Sequence, residues 1–248
     1  MTRVFKPCME ILPPEQRRLW PELCATVELG FALYGGTAIA LRLGHRPSID
    51  FDFFSEKPLD RDAIQAAFPL IAQSTVLQDE RNTFSVLVPD RDLEHTHVKV
   101  SFFGAMDFGR VGDPDMTKDG VLCVASLDDL MATKLKVVLQ RAEAKDYRDI
   151  AAMINAGLSL PKGLAAARAI FGSHYQPSES LKAMVYFKDG DLRMLTKDEK
   201  NNLVEAVSQV RDLPQVAILS RQLTASSSAF RSEQKALGIQ QSLARPKA

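Results

Sequence analysis

Residues 49–54 read Ile-Asp-Phe-Asp-Phe-Phe. Alternation with period two predicts a strand that turns Ile49, Phe51 and Phe53 to one face and Asp50 and Asp52 to the other. Further strands are expected in 75–80, 82–89 and 95–103, with another over 120–125. Between them 31–34 reads as a short extended entry and 37–44 as a short helix stopped by Gly44. Short helices are also expected over 22–30, ending at Gly30, and over 60–68. From Ser126 the period changes. Leu127, Leu130, Met131, Leu135 and Val138 recur at helical spacing, and Ser126 with Asp129 reads as an N-cap followed by an acid at the third helical position. The next helix buries Tyr147, Ile150, Ala151 and Ile154.

Strand signals become scarce after residue 125. The pattern is therefore α+β: a mixed sheet with flanking helices over 1–125, then a helical half over 126–248 packed on it without a long linker. A loose junction is expected at Ser226–Phe230 and fraying over the last residues.

Composition narrows the class. The chain has 248 residues, 46% hydrophobic and 25% charged, room enough for a substantial core. Its 31 basic and 31 acidic residues cancel, so no global charge argues for nucleic acid or membrane, although a local basic stripe would suffice for RNA. Cys8, Cys24 and Cys123 form neither a zinc pattern nor a disulfide framework. No run approaches the roughly 18 apolar residues of a membrane span, and the first residues carry no secretory pattern, so the expected compartment is the cytoplasm.

The candidate chemistry starts at the aspartates. Two residues of strand place Asp50 and Asp52 roughly 6–7 Å apart on one face. Such carboxylates repel unless a cation sits between them, and a pair of Mg²⁺ ions, spaced on the order of 4 Å in two-metal sites, would serve. A solvated edge strand is the plainer explanation of a lone Asp-x-Asp. Just upstream, Gly35, Gly36 and Thr37 open a helix. Glycines let backbone approach a ligand, and the helix start offers free N–H groups to phosphate. A tight turn and an N-cap would explain the same residues. It is the adjacency of turn and acidic strand that points to phosphoryl or nucleotidyl transfer.

Lys134 falls inside the apolar stripe of its helix, so it either snorkels to water or reaches a triphosphate; Lys136 reads as solvated. Asp146 and Asp149 lie three apart beside the next stripe. Asp146 reads first as an N-cap. Asp149, inside the helix, would pair with Lys134, Arg141 or Arg148, or act as a base or positioning group. Lys134, Arg141, Lys145 and Arg148 form a basic strip for RNA or phosphate, or a solvated face. His45 with Arg42 and Arg46 makes a second small basic patch beside the cleft. His95 and His97 lack a third metal ligand and read as surface residues.

Taken in order, residues 35–54, 127–141 (Leu-Asp-Asp-Leu-Met-Ala-Thr-Lys onward) and 145–150 (Lys-Asp-Tyr-Arg-Asp-Ile) resemble the AbiEii/AbiGii toxin family of nucleotidyltransferases. The likeness covers about residues 25–155. It implies a DNA polymerase β-like nucleotidyltransferase fold and a place in type IV toxin–antitoxin and phage-defence systems. Some members add nucleotides to tRNA 3′ ends, so the implied reaction moves NMP from an NTP to an acceptor hydroxyl, with a tRNA 3′ end as candidate acceptor and a cognate antitoxin as candidate partner. By the same resemblance Gly36 and Thr37 match the phosphate-binding turn, Asp50 and Asp52 the metal-binding acids, and Lys134 the lysine on nucleotide phosphates. The further acid falls at Asp149 or Asp146, with Asp149 favoured by its spacing from Lys134. Ser48 would hydrogen-bond near a bound phosphate. One departure stands out: the neighbouring strand of such enzymes usually carries a third carboxylate, and here that position falls near Ser101, flanked by Lys99. That gap favours one alternative, an inactive nucleotidyltransferase-like binding protein; an NTP-dependent phosphotransferase on the same scaffold is a further one.

Overall fold

A computed structural model describes residues 3–90, 92 and 95–224. The elements, in order, are β1 (Val4–Phe5), α1 (Pro14–Leu19), α2 (Ala25–Glu28), β2 (Ala32–Tyr34), α3 (Gly35–Leu43), β3 (Asp50–Phe54), α4 (Arg61–Ala67), β4 (Thr75–Glu80), β5 (Thr83–Pro89), β6 (His97–Phe103), β7 (Asp115–Thr117) and β8 (Cys123–Val124). Helices follow: α5 (Leu127–Val137), α6 (Ala144–Asn155), α7 (Leu160–Phe171), α8 (Pro177–Met184) and α9 (Lys197–Gln209). The expected junction at 226–230 and the frayed end lie outside the described residues.

The strands form one mixed sheet in the order β1-β7-β8-β2-β3-β6-β5-β4. β3 lies near its middle, antiparallel to β2 and parallel to β6. A central position explains why β3 alternates so strictly: one face must be dry. On that face Phe51 and Phe53 are fully buried, and Phe53 and Phe84 stack with Phe102 at ring separations of 5.6 and 6.4 Å, with Phe31 and Phe68 against the same ring. Aromatic pairs of this kind add about 0.5–1.5 kcal/mol each beyond their buried area. Ile49 does not join them. It precedes the strand and is 65% exposed, because the pairing of β3 with β6 begins only at Asp50.

The opposite face carries Asp50 and Asp52 toward the helical half. A second aromatic series, Tyr34–Phe54–Phe108–Phe171–Tyr175, runs from the sheet to α7 and holds the two halves together. Beyond α9 the chain returns to the sheet, where Ser220 bridges Arg110, Leu223 is buried and its N–H donates to Glu56.

α5 starts as its sequence indicates. Ser126 Oγ accepts from the Asp129 N–H, and the Asp129 carboxylate in turn accepts from Ser126 Oγ and the Val111 N–H. α3 begins two residues earlier than expected, at Gly35, and ends at Gly44 in the left-handed conformation (φ 65°). The early start puts both glycines inside the first turn, where the free N–H groups are.

Candidate active site

β2 delivers the chain into α3 directly beside β3, with Tyr34 opposite Asp52. Gly35 has φ +74°, and a Cβ there would lie 2.7 Å from Asp52 Oδ2. Only glycine therefore lets this turn approach the carboxylate. Gly36 is confined by Arg46 and Asp149, since a Cβ would run into the Arg46 guanidinium. Thr37 Oγ1 donates toward the Asp50 carbonyl and sits 2.7 Å from Ser48 Oγ. The helix start is thereby tied to the first residue of the acidic strand.

Asp50 and Asp52 are both half-buried on the same face of β3. Their neighbours on β6 are Lys99 and Ser101 respectively, so the strand position beside Asp52 holds no acid. Burial and the charge of Asp50 push the Asp52 carboxyl above its ordinary value, against the opposing pull of Lys99, Lys134 and Arg141. Two crowded carboxylates carrying uncompensated charge are what a hard divalent cation relieves. Mg²⁺ commonly takes one or two carboxylates and completes its shell with water and substrate phosphate, so this donor pair fits the ion.

The acids on α6 are in a different state. Asp146 and Asp149 are fully buried. Lys134 Nζ, 5% exposed, lies 2.6 Å from Asp146 Oδ1 and 2.7 Å from Asp149 Oδ2, so the lysine neither snorkels nor stands free. Arg141 donates to both Asp146 oxygens at 2.7 and 3.1 Å. Arg46 grips Asp149 through both oxygens at 2.7 and 2.8 Å, and His45 Nε2 adds a contact of 2.8 Å to Oδ1. Burial raises the Asp149 carboxyl, but the His45 bond, the Lys134 charge and the Arg46 bond outweigh it and hold the group below its ordinary value. Asp146 is lowered likewise: burial opposes, and Arg141 and Lys134 prevail.

Several expectations need correction here. Asp146 is no N-cap; α6 begins after Glu143, and Asp146 is a buried ion-pair partner inside the first turn. Of the three cations expected to pair with Asp149, only Lys134 does; Arg141 binds Asp146, and Arg148 reaches Glu199 and the Met194 carbonyl. The basic strip is thus neutralised along its length, with Lys145 on Glu143. Lys136 is half-buried and donates to the His174 carbonyl. Arg42 leaves the cleft patch altogether: it pairs with Asp115, binds the carbonyls of Val124 and Ala125, and covers Phe5. His95 and His97 are exposed, and among the described residues no group of three or more His, Cys, Asp or Glu could hold a metal. Arg46 was expected only as part of a patch. Its partner lies 103 positions away, so no local spacing announces the pair. A separate cavity of about 310 Å³, between α1 and the β5–β6 end of the sheet, contains none of these residues.

Comparisons with known proteins bear on the family and the fold. Residues 19–221 match the family model described as nucleotidyl transferase AbiEii toxin, type IV TA system. An uncharacterized protein of Aquifex aeolicus (strain VF5), aq_aa25, is 31% identical over 148 residues, which are 57% of this chain and 66% of that protein. Among solved structures, MenT4, a nucleotidyltransferase toxin from Mycobacterium tuberculosis H37Rv, aligns over 91% of both chains with a TM-score of 0.51 at 13% identity, which establishes a likeness of fold.

Proposed function

The chain belongs to the AbiEii family of nucleotidyltransferase toxins of type IV toxin–antitoxin systems, and from that premise we propose that it transfers NMP from an NTP to an acceptor hydroxyl in a Mg²⁺-dependent reaction. The observation that carries this reading is the seat of Asp52 against Gly35: an unspent carboxylate pair touching a helix N-terminus built to approach it. Mg²⁺ held by Asp50 and Asp52 would neutralise phosphate charge there. The N–H groups of Gly35 and Gly36 receive phosphate oxygens, while Thr37 and Ser48 fix the turn to β3.

Lys134 has three N–H donors, of which Asp146 and Asp149 take two; the third remains for a nucleotide phosphate. Asp146 and Asp149 then act as positioning residues for Lys134 and Arg46 rather than as bases, because a base must be free to accept a proton and these carboxylates are saturated. In the reaction the acceptor oxygen forms a bond to the α-phosphorus and the α–β bridging P–O bond breaks. Its electron pair leaves with pyrophosphate, and the acceptor proton passes to water.

The setting we propose is the cytoplasm, with a tRNA 3′ end as acceptor, a cognate antitoxin as partner and phage defence as the role. Incubation with total RNA and each α-labelled NTP, resolved on a gel, tests it. The expected result is a labelled tRNA-sized band with pyrophosphate as product, lost in Asp50→Ala and Asp52→Ala. Release of ADP from ATP would indicate a phosphotransferase. Unchanged labelling in both variants would reject the mechanism, and no labelling with nucleotide still bound would indicate a binding protein.

A further inference from the structure

The strand position that lacks a carboxylate is not neutral ground. Lys99 on β6 is aligned with Asp50, and Ser101 with Asp52, so all four side chains share the cleft face. Lys99 lies close enough to lower the Asp52 carboxyl. Arg46 and Arg141 are committed to Asp149 and Asp146, and Lys134 has one donor left beyond those two carboxylates. Among the described residues Lys99 forms no hydrogen bond or ion pair, which leaves its charge available to the cleft. Beside it Ser101 is 1% exposed, and its Oγ is buried without a partner. A buried hydroxyl with nothing to bind costs free energy unless something fills the space before it.

Resting on the nucleotidyltransferase reading above, we propose that Lys99 is a catalytic residue that stands in for a second metal ion: the site takes one divalent cation between Asp50 and Asp52, and the Lys99 ammonium supplies the remaining positive charge to the NTP phosphates. A two-ion site sets its ions about 3.5–4 Å apart and anchors each through carboxylate as well as substrate phosphate. Here the cleft face offers two carboxylates, and β6 contributes a cation that repels a second ion. The ammonium meets a phosphate oxygen as a point charge, the manner in which lysine binds phosphate elsewhere. Ser101 Oγ donates within the same space, to a phosphate oxygen or to a water on the ion. This sets the number of ions at one, where the acid pair read from sequence alone pointed to two.

The test counts ions directly. Mn²⁺ is titrated by electron paramagnetic resonance against the full chain with the α,β-methylene analogue of each NTP in turn. The expected stoichiometry is one Mn²⁺ per chain, abolished in Asp50→Asn/Asp52→Asn, rising to two in Lys99→Asp. Lys99→Met should retain the single ion and lose about 10²-fold in transfer rate, the scale on which one preorganised charge contributes. Two ions on the wild type, an unchanged count in a folded Lys99→Asp, or full transfer in Lys99→Met would each overturn the inference and leave the nucleotidyltransferase reading standing. No ion that depends on Asp50 and Asp52 would overturn that reading and the inference with it.

Discussion

Two pairs of aspartates, each with close sequence spacing and each beside an apolar stripe, end in opposite electrostatic states. Asp50 and Asp52 on β3 are half-buried, and Asp52 is raised by burial and by its neighbour's charge. Asp146 and Asp149 on α6 are fully buried and lowered by Lys134, Arg46, Arg141 and His45. The difference lies in what faces each pair. The acidic face of β3 is half-buried, with backbone glycine against Asp52. α6 looks into a fixed set of cations delivered by α5 and by the loop after α3. On the proposed reading, the pair whose charge is already balanced serves the architecture and the unbalanced pair takes the ligand.

Removing one member of each pair separates them most sharply. Asp149→Ala leaves Arg46 without its carboxylate and Lys134 with Asp146 alone, and breaking a buried pair from one side costs about 3–5 kcal/mol. For a chain of this size that corresponds to a fall in Tm of roughly 10 °C by calorimetry. Asp52→Ala should leave Tm unchanged or raised, because it removes a desolvated, repelled charge, while it abolishes transfer. A Tm loss of the same size in both variants would erase the distinction.

Gly35→Ala comes next in size. Its φ of +74° and the 2.7 Å approach to Asp52 force either the turn or the carboxylate to move. The expected cost is about 1–2 kcal/mol of stability. Transfer should fall further than that loss of stability explains, since the carboxylate is displaced from its place. Ordinary kinetics in Gly35→Ala would mean that the close approach has no role.

The smallest effect is that of pH. The folded Asp149 carboxyl lies below its ordinary 3.8, so its stabilisation is complete above about pH 4 and is lost as pH falls through the folded value. Urea titrations from pH 5 downward should show the wild type losing this increment, with Asp149→Asn showing a shallower dependence. Equal slopes would argue that His45, Lys134 and Arg46 do not hold Asp149 ionised.

Much of this was legible along the chain. Period two placed β3 and its acidic face, the glycines marked the turn, Ser126 and Asp129 marked the start of α5, and Lys134 was one of three candidate partners for Asp149. What spacing could not supply was who pairs with whom. Asp149 meets Arg46 across 103 positions, and Arg42 turns away from the cleft to Asp115 73 positions on, because tertiary packing brings those elements together and local periodicity carries no trace of it. Ile49 fits the alternation yet lies outside the strand, since the ladder with β6 starts one residue later.

The central claim is that the β3 acids hold the cation and the α6 acids do not. Thermal unfolding of the full chain with and without Mg²⁺ and an α,β-methylene NTP measures it most directly, because a ligand at 100 times its Kd adds about 2.7 kcal/mol to the folded state. A rise in Tm in the wild type and in Asp146→Asn, but none in Asp50→Asn/Asp52→Asn, is the predicted result. A rise that persists in the β3 double variant would contradict the account.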